Sequence, residues 1–198
     1  MTLSAKTGLL FGSFNPIHQG HLMIANYMVE FTDIGQVWFI ISPHNPLKEK
    51  SSLLADHHRL AMANIAVEND QRFRASNIEF HLPQPSYTID TLTYLSEKYP
   101  EKEFVLIAGR DNLPSFQKWK NYEELLNNYQ FYIYPRKDAG VSLFDSHPHI
   151  HFTEAPMIEI SSSFIREGIR DGKNMSQFLP EKVWEYIEEM HFYQDTKI

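Results

Sequence analysis

The 198-residue sequence contains no cysteine. That excludes a disulfide framework, a thiol nucleophile and thiolate metal sites. It also lacks a surplus of positive charge. Eighteen Lys and Arg against 25 Asp and Glu leave a formal net charge of −7, and there is no long basic run. Sequence-independent nucleic-acid binding rests on many Lys and Arg phosphate contacts, so no nucleic-acid partner is expected. Any polyanion must then be met by local arginine, helix N-termini and a divalent cation. There is no internal repeat, low-complexity linker or membrane-spanning stretch, and Met1 to Lys6 is short and polar. The expectation is a cytoplasmic protein without a signal peptide or a membrane partner. With 42% hydrophobic residues, the length fits a single domain over 1–198.

What is present alternates. Gly8 to Phe11 is a short apolar run, and Leu22 to Phe31 has the pattern of an amphipathic helix. Gln36 to Ile41 is continuously apolar, as suits a strand covered on both faces. Helical spacing follows over Leu53 to Asn69, a weaker strand over Phe73 to Phe80, and a helix over Tyr87 to Tyr99. Phe104 to Ala108 is the clearest later strand and Tyr129 to Tyr134 another. Phe152 is placed at the sheet edge, and a final helix runs over Pro180 to Met190. Strands alternating with helices predict an α/β fold with a doubly wound, mostly parallel sheet and helices on both faces. In such a sheet ligands gather at the C-terminal ends of the strands, near the topological switch point.

The first strand leads straight into Gly12-Ser13-Phe14-Asn15-Pro16-Ile17-His18-Gln19-Gly20-His21. A strand, a tight turn and a helix start aim backbone N–H groups at one spot. His18 and His21, three residues apart, would face that spot, and imidazoles beside free amides suit phosphate oxygens that gain charge during a reaction. Other chemistry-bearing residues also fall just after strands. Gly109-Arg110-Asp111 offers a glycine that lets a ligand approach and a carboxylate suited to ribose hydroxyls. Ile160-Ser161-Ser162-Ser163-Phe164-Ile165-Arg166 places hydroxyls and orphan amides at a helix start, with an arginine one turn on.

These segments resemble the HxGH nucleotidyltransferase superfamily, with His18-Gln19-Gly20-His21 at the motif positions and Ile160-Ser161 to Arg166 similar to its Ile-Ser-x-x-x-x-Arg signature. Serine stands at 163 where threonine is common. In the nicotinate-nucleotide branch the first turn carries two glycines and an aspartate, whereas this chain has Phe11-Gly12 and Asn15. Asn15 is therefore given no catalytic role. Two further segments narrow the resemblance to bacterial nicotinate mononucleotide adenylyltransferases: Pro85-Ser86-Tyr87-Thr88, and Phe116-Gln117-Lys118-Trp119. A helix start with a hydroxyl suits a carboxylate, and an indole suits stacking on a pyridine ring. Pro43-His44-Asn45-Pro46-Leu47-Lys48 is similar to a shortened form of that family's proline-rich loop. The resemblance spans residues 7 to 192, with the motifs in family order.

It implies a Rossmann-like fold and an ATP-dependent adenylyltransferase of NAD biosynthesis, converting nicotinate mononucleotide to the deamido dinucleotide with release of pyrophosphate. By that implication His18, His21 and Arg166 are catalytic. Gly12, Ser13, Phe14, Gly20, Gly109, Asp111, Ile160, Ser161 and Ser163 serve ATP. Asn45, Lys48, Tyr87, Thr88 and Trp119 serve the mononucleotide. Mg²⁺ accompanies ATP, and no metal site is built from the protein's own side chains. His147, His149 and His151 share a strand face but lack a completing ligand set, and read as a solvated connection. Partners are the two small molecules alone, and self-association is left open. Two alternatives stand beside this reading: a pantetheine-phosphate adenylyltransferase, which shares the HxGH turn, and a non-catalytic nucleotide sensor.

Overall fold

A computed structural model describes residues 6–43, 53–137 and 139–194. Strands β1 (Lys6–Gly12), β2 (Ile34–Ile41), β3 (Phe73–Ser76), β4 (Phe104–Gly109), β5 (Phe131–Tyr134) and β6 (Ile150–Phe152) form one sheet in the order β3-β2-β1-β4-β5-β6. Every pairing is parallel. The chain leaves β1 in one direction to build β2 and β3, then returns to its other side with β4. The switch point of the doubly wound sheet therefore lies between β1 and β4.

Alternation along the strands divides the core in two. Leu10, Val37, Phe39, Ile41, Val105 and Ile107 face one side, where α1 (Gln19–Phe31), α2 (Asp56–Val67), α5 (Ser162–Arg170) and α6 (Glu181–Glu189) cover them. Leu9, Trp38, Ile40, Phe104, Leu106 and Phe131 face the other, under α3 (Thr88–Lys98) and α4 (Tyr122–Asn128). Such double coverage makes parallel strands read as unbroken apolar runs.

The expected strand over Phe73 to Phe80 stops at Ser76, and Ile78–His81 winds into a 3-10 turn. In that turn Glu79 is buried, with its side chain bonded to Thr91 of α3. Arg110–Lys118 is a 3-10 helix with Pro114 inside, and α4 follows it; neither is signalled by apolar spacing. Phe116 anchors this segment with its ring edge-on to Phe131 and Phe144. Burying such a ring is worth about 1.5–3 kcal/mol. Among the described residues no helix is long and apolar enough to cross a membrane.

Candidate active site

A cleft of about 600 Å³ opens at the C-terminal ends of β1, β2 and β4, at the switch point. Gly12, Ser13 and Asn15 from the turn after β1 line it. So do Ser42 and Pro43 after β2, Gly109 and Asn112 after β4, Tyr134 of β5, Trp119, and Ser162, Ser163 and Arg166 of α5. Segments from five parts of the sequence thus converge on one space.

The turn after β1 is held from several directions. Arg166 Nη1 donates to Asn15 O at 2.8 Å, and Ser162 Oγ donates to Pro16 O at 2.9 Å, so the α5 start is fastened to the turn. Asn15 Oδ1 accepts from Tyr193 Oη at 2.8 Å and from Leu54 N at 3.3 Å. Arg59, fully buried, donates to Ser13 O at 2.6 Å, to Ser42 O at 2.8 Å and to Leu54 O at 3.1 Å, and pairs with Asp56. Its guanidinium thereby ties the loop after β1 to the loop after β2. Asn15, given no catalytic role, is the junction of the site. Arg59 and Tyr193 escape a reading of the sequence, because their partners lie 46 and 178 residues away.

His18 precedes α1 as its N-cap and is only 3% exposed. Its main-chain N–H donates to Nδ1 of His21 at 3.2 Å, and the two rings stack with centroids 3.7 Å apart. Because Nδ1 of His21 is an acceptor, the neutral ring carries its proton on Nε2, which is left as a donor. Burial, with the nearby Arg136 guanidinium, pushes the His18 pKa down to about 4. Burial, then His18 and Arg136, hold His21 well below the ordinary range. Both imidazoles are therefore neutral N–H donors at pH 7. Nδ1 of His18 is buried and meets no partner among the described residues. A Cβ on Gly20 would come within 3.1 Å of the His18 ring, a tight contact from which the ring would have to shift by a few tenths of an ångström. Neither histidine is among the residues that line the cleft in this structure.

Gly109 and Asp111 follow β4 as expected. A Cβ on Gly109 would collide with Asp111 Oδ1. Asp111 is exposed, 3.9 Å from Arg136 Nε, and with Arg136, Lys137, Met157, Ile158 and Glu159 it lines a second hollow of about 270 Å³. Arg136, missed in the sequence, follows β5 just as Asp111 follows β4. Ser161 caps α5, its Oγ accepting from Phe164 N at 3.2 Å, while Ile160 lies just before the cap and Ser163 Oγ accepts from Arg166 Nη2 at 3.2 Å. Phe14 is buried, with φ 45° and its ring edge-on to His21. It supports the histidine from below.

Trp119 caps the 3-10 helix and is half-buried at the cleft. Tyr87 is the N-cap of α3 and Thr88 its first residue. They do not line the cleft, yet Lys120 brings them to Trp119: its ammonium sits 4.6 Å from the centre of the Tyr87 ring and 2.9 Å from Asp90. Asn45 and Lys48, with His44, lie outside the described residues. His149 Nδ1 is bonded to Leu126 O at 2.8 Å, and His147 Nδ1 accepts from His149 N at 3.2 Å. Among the described residues no three His, Asp or Glu side chains gather as metal ligands.

The cytidylyltransferase-like family matches residues 9–168. A Flavobacterium johnsoniae protein named "Probable nicotinate-nucleotide adenylyltransferase" is 54% identical over 192 residues, covering 96% of this chain and 99% of its own. A Bacteroides thetaiotaomicron protein of the same name is 45% identical, over 93% and 91% of the two chains. Among solved structures, the Plasmodium falciparum nicotinic acid mononucleotide adenylyltransferase complexed with NaAD superimposes with a TM-score of 0.79 at 21% identity, over 96% and 98% of the chains. That likeness concerns the fold, including its Rossmann-like sheet. Near-complete coverage by relatives at such identity leaves no room for a chance match, and the chain belongs to the nicotinate-nucleotide adenylyltransferases of the cytidylyltransferase-like family.

Proposed function

We infer that this chain, acting as one domain, transfers the adenylyl group of ATP to nicotinate mononucleotide, giving the deamido dinucleotide and pyrophosphate in NAD biosynthesis. The relatives' shared name supports the reaction. The observation that carries it in this molecule is the convergence of the Gly12–Ser13 turn, the Ser162–Arg166 helix start and Trp119 on one cleft.

The mononucleotide's phosphate oxygen attacks the α-phosphorus of ATP in line. The new O–P bond forms as the bond to the bridging oxygen breaks, and pyrophosphate departs with its electron pair. No protein nucleophile is required, so catalysis is positioning and charge stabilisation. The neutral His21 Nε2–H and the neutral His18 ring, whose Nδ1 has no partner among the described residues, donate to oxygens whose charge grows. Arg166, with the amides and hydroxyls of Ser161 and Ser163, grips the triphosphate. Gly12, Ser13 and Gly20 let its oxygens approach the backbone. Asp111, beside Gly109, accepts from a ribose hydroxyl. Where Mg²⁺ accompanies ATP, its charge would offset that of the phosphate oxygens, beside the grip of Arg166, Ser161 and Ser163. Tyr87 and Thr88 receive the pyridine carboxylate and Trp119 covers the ring, with Asn45 and Lys48 assigned to the same ligand.

The test is a side-by-side assay of pyrophosphate release with Mg–ATP and nicotinate mononucleotide, nicotinamide mononucleotide or phosphopantetheine, with the dinucleotide product identified by chromatography. Preference for phosphopantetheine, or no turnover with any acceptor, would replace this reading.

A further inference from the structure

Among the described residues Glu79 is the one acidic side chain sequestered from solvent, at 2% exposure. It stands on the 3-10 turn after β3, where no ligand-binding motif points. Its Oε1 accepts from Thr91 Oγ1 of α3 at 2.8 Å. Burial pushes the pKa of this carboxyl up, and the hydroxyls of Thr91, Ser42 and Ser86 act against that shift. Oε2 has no aligned partner among the described residues. The turn is also tied to the chain that enters α3, because Gln84 Nε2 donates to Glu79 O at 2.8 Å.

A buried carboxylate is costly unless hydrogen bonds compensate it, and hydroxyl groups supply them here. The Thr91 hydroxyl turns its proton toward Oε1, which fixes its rotor. The groups around this carboxyl matter. Ser42 is part of the cleft wall at the end of β2. Ser86 stands immediately before Tyr87, and Thr91 lies one turn into the helix that Tyr87 caps, its N–H bonded to Tyr87 O at 3.1 Å.

We propose that Glu79 is a positioning residue for the acceptor: it locks the start of α3, with Tyr87 and Thr88, to the Ser42 end of β2, and so sets where a pyridine carboxylate docks. The inference rests on the acceptor assignment above. It predicts a selective defect, since the network meets the segments assigned to ATP only through the Ser42 main chain, which Gly12 and Arg59 hold independently of Glu79. In the full chain with Mg–ATP, Glu79→Ala should raise KM for nicotinate mononucleotide about tenfold or more, the scale of one lost charge-assisted hydrogen bond. KM for ATP should stay unchanged and kcat should fall little. Glu79→Gln keeps an accepting oxygen toward Thr91 and should recover most of the acceptor affinity. Thr91→Val fills the same volume without a hydroxyl and should show the same selective rise in smaller degree; it decides the matter where Glu79→Ala fails to fold. An unchanged mononucleotide KM in these variants, or equal rises for both substrates, overturns the proposal. An unmodified chain that leaves nicotinate mononucleotide untouched removes the acceptor reading and this proposal together.

Discussion

Arg166 Nη1 and the main-chain oxygen of Asn15 lie 2.8 Å apart across 151 residues of sequence. One guanidinium braces the turn that carries the histidines and, in the proposed reaction, would also grip phosphate. Arg166→Ala should raise KM for ATP roughly 10- to 100-fold, from the loss of about 1.5–3 kcal/mol in charge-assisted bonding. Because the turn loosens as well, kcat should fall with it. Arg166→Lys should recover only part, since an ammonium lacks the planar fork. Steady-state kinetics with varied ATP checks this, and an unchanged ATP dependence would place Arg166 outside the site.

His21→Ala should act on turnover rather than on ATP affinity. Its Nε2–H is held as a donor by the bond at Nδ1, and removing one donor to developing charge costs on the order of 100- to 1,000-fold in rate. Isothermal binding of ATP beside single-turnover rates separates the two effects. A variant with near-normal turnover would contradict the assigned role.

Stability should depend on pH through the same pair. Unfolded, His18 titrates near 6.5; folded, it titrates at about 4. Below pH 6.5 the unfolded chain takes up the proton first, so stability falls as pH drops from about 6.5 towards 4. The full penalty from His18 alone is on the order of 3 kcal/mol. Thermal melts between pH 8 and 4, a range set by the two values, should show this decline, with His18→Asn flattening it. A melting temperature level across that span in the unmodified chain would refute the account.

Arg59→Ala should cost on the order of 3 kcal/mol, because carbonyls of Ser13, Ser42 and Leu54 lose a buried donor together. For a chain of this size that is a fall of about 10 °C in Tm. Activity at permissive temperature should drop too, as the loops after β1 and β2 separate. Melting curves and kcat measured on one preparation test both.

Acceptor choice follows from donors at the α3 start. A carboxylate satisfies the Thr88 hydroxyl and free amides, whereas an amide NH₂ would meet donors. Sites built on such groups reject analogues by up to about 10⁴ in kcat/KM. Nicotinate mononucleotide should therefore be strongly preferred over its amide, Thr88→Val should erode the preference, and Trp119→Ala should lower efficiency for both. Equal efficiencies in the unmodified enzyme would sink the assignment.

Strands such as Gln36 to Ile41 and Phe104 to Ala108 are legible in the sequence because burial on both faces leaves unbroken apolar runs, and the Gly12–His21 turn because its chemistry is local. The 3-10 helix over Arg110–Lys118 is illegible for the opposite reason: it is held by Phe116 packing on distant rings, not by periodicity. Arg59 and Tyr193 follow the same logic. A buried arginine in a helix looks like any surface arginine until the carbonyls it serves are brought together by the sheet.

The parallel order of the strands has a temporal side. β1 pairs with β2 on one flank, but its other neighbour begins at Phe104, which Thr7 cannot meet until about half the chain has been made. Contacts between residues so distant in sequence slow folding. On the ribosome the first three strands can assemble as a half-sheet, while the innermost strand waits with one bare edge. Arg166 and Tyr193 emerge later still, so the wall of the cleft to which Arg166 belongs is set in place last. Until then the nascent chain carries its paired histidines beside a cleft that is not yet closed on that side.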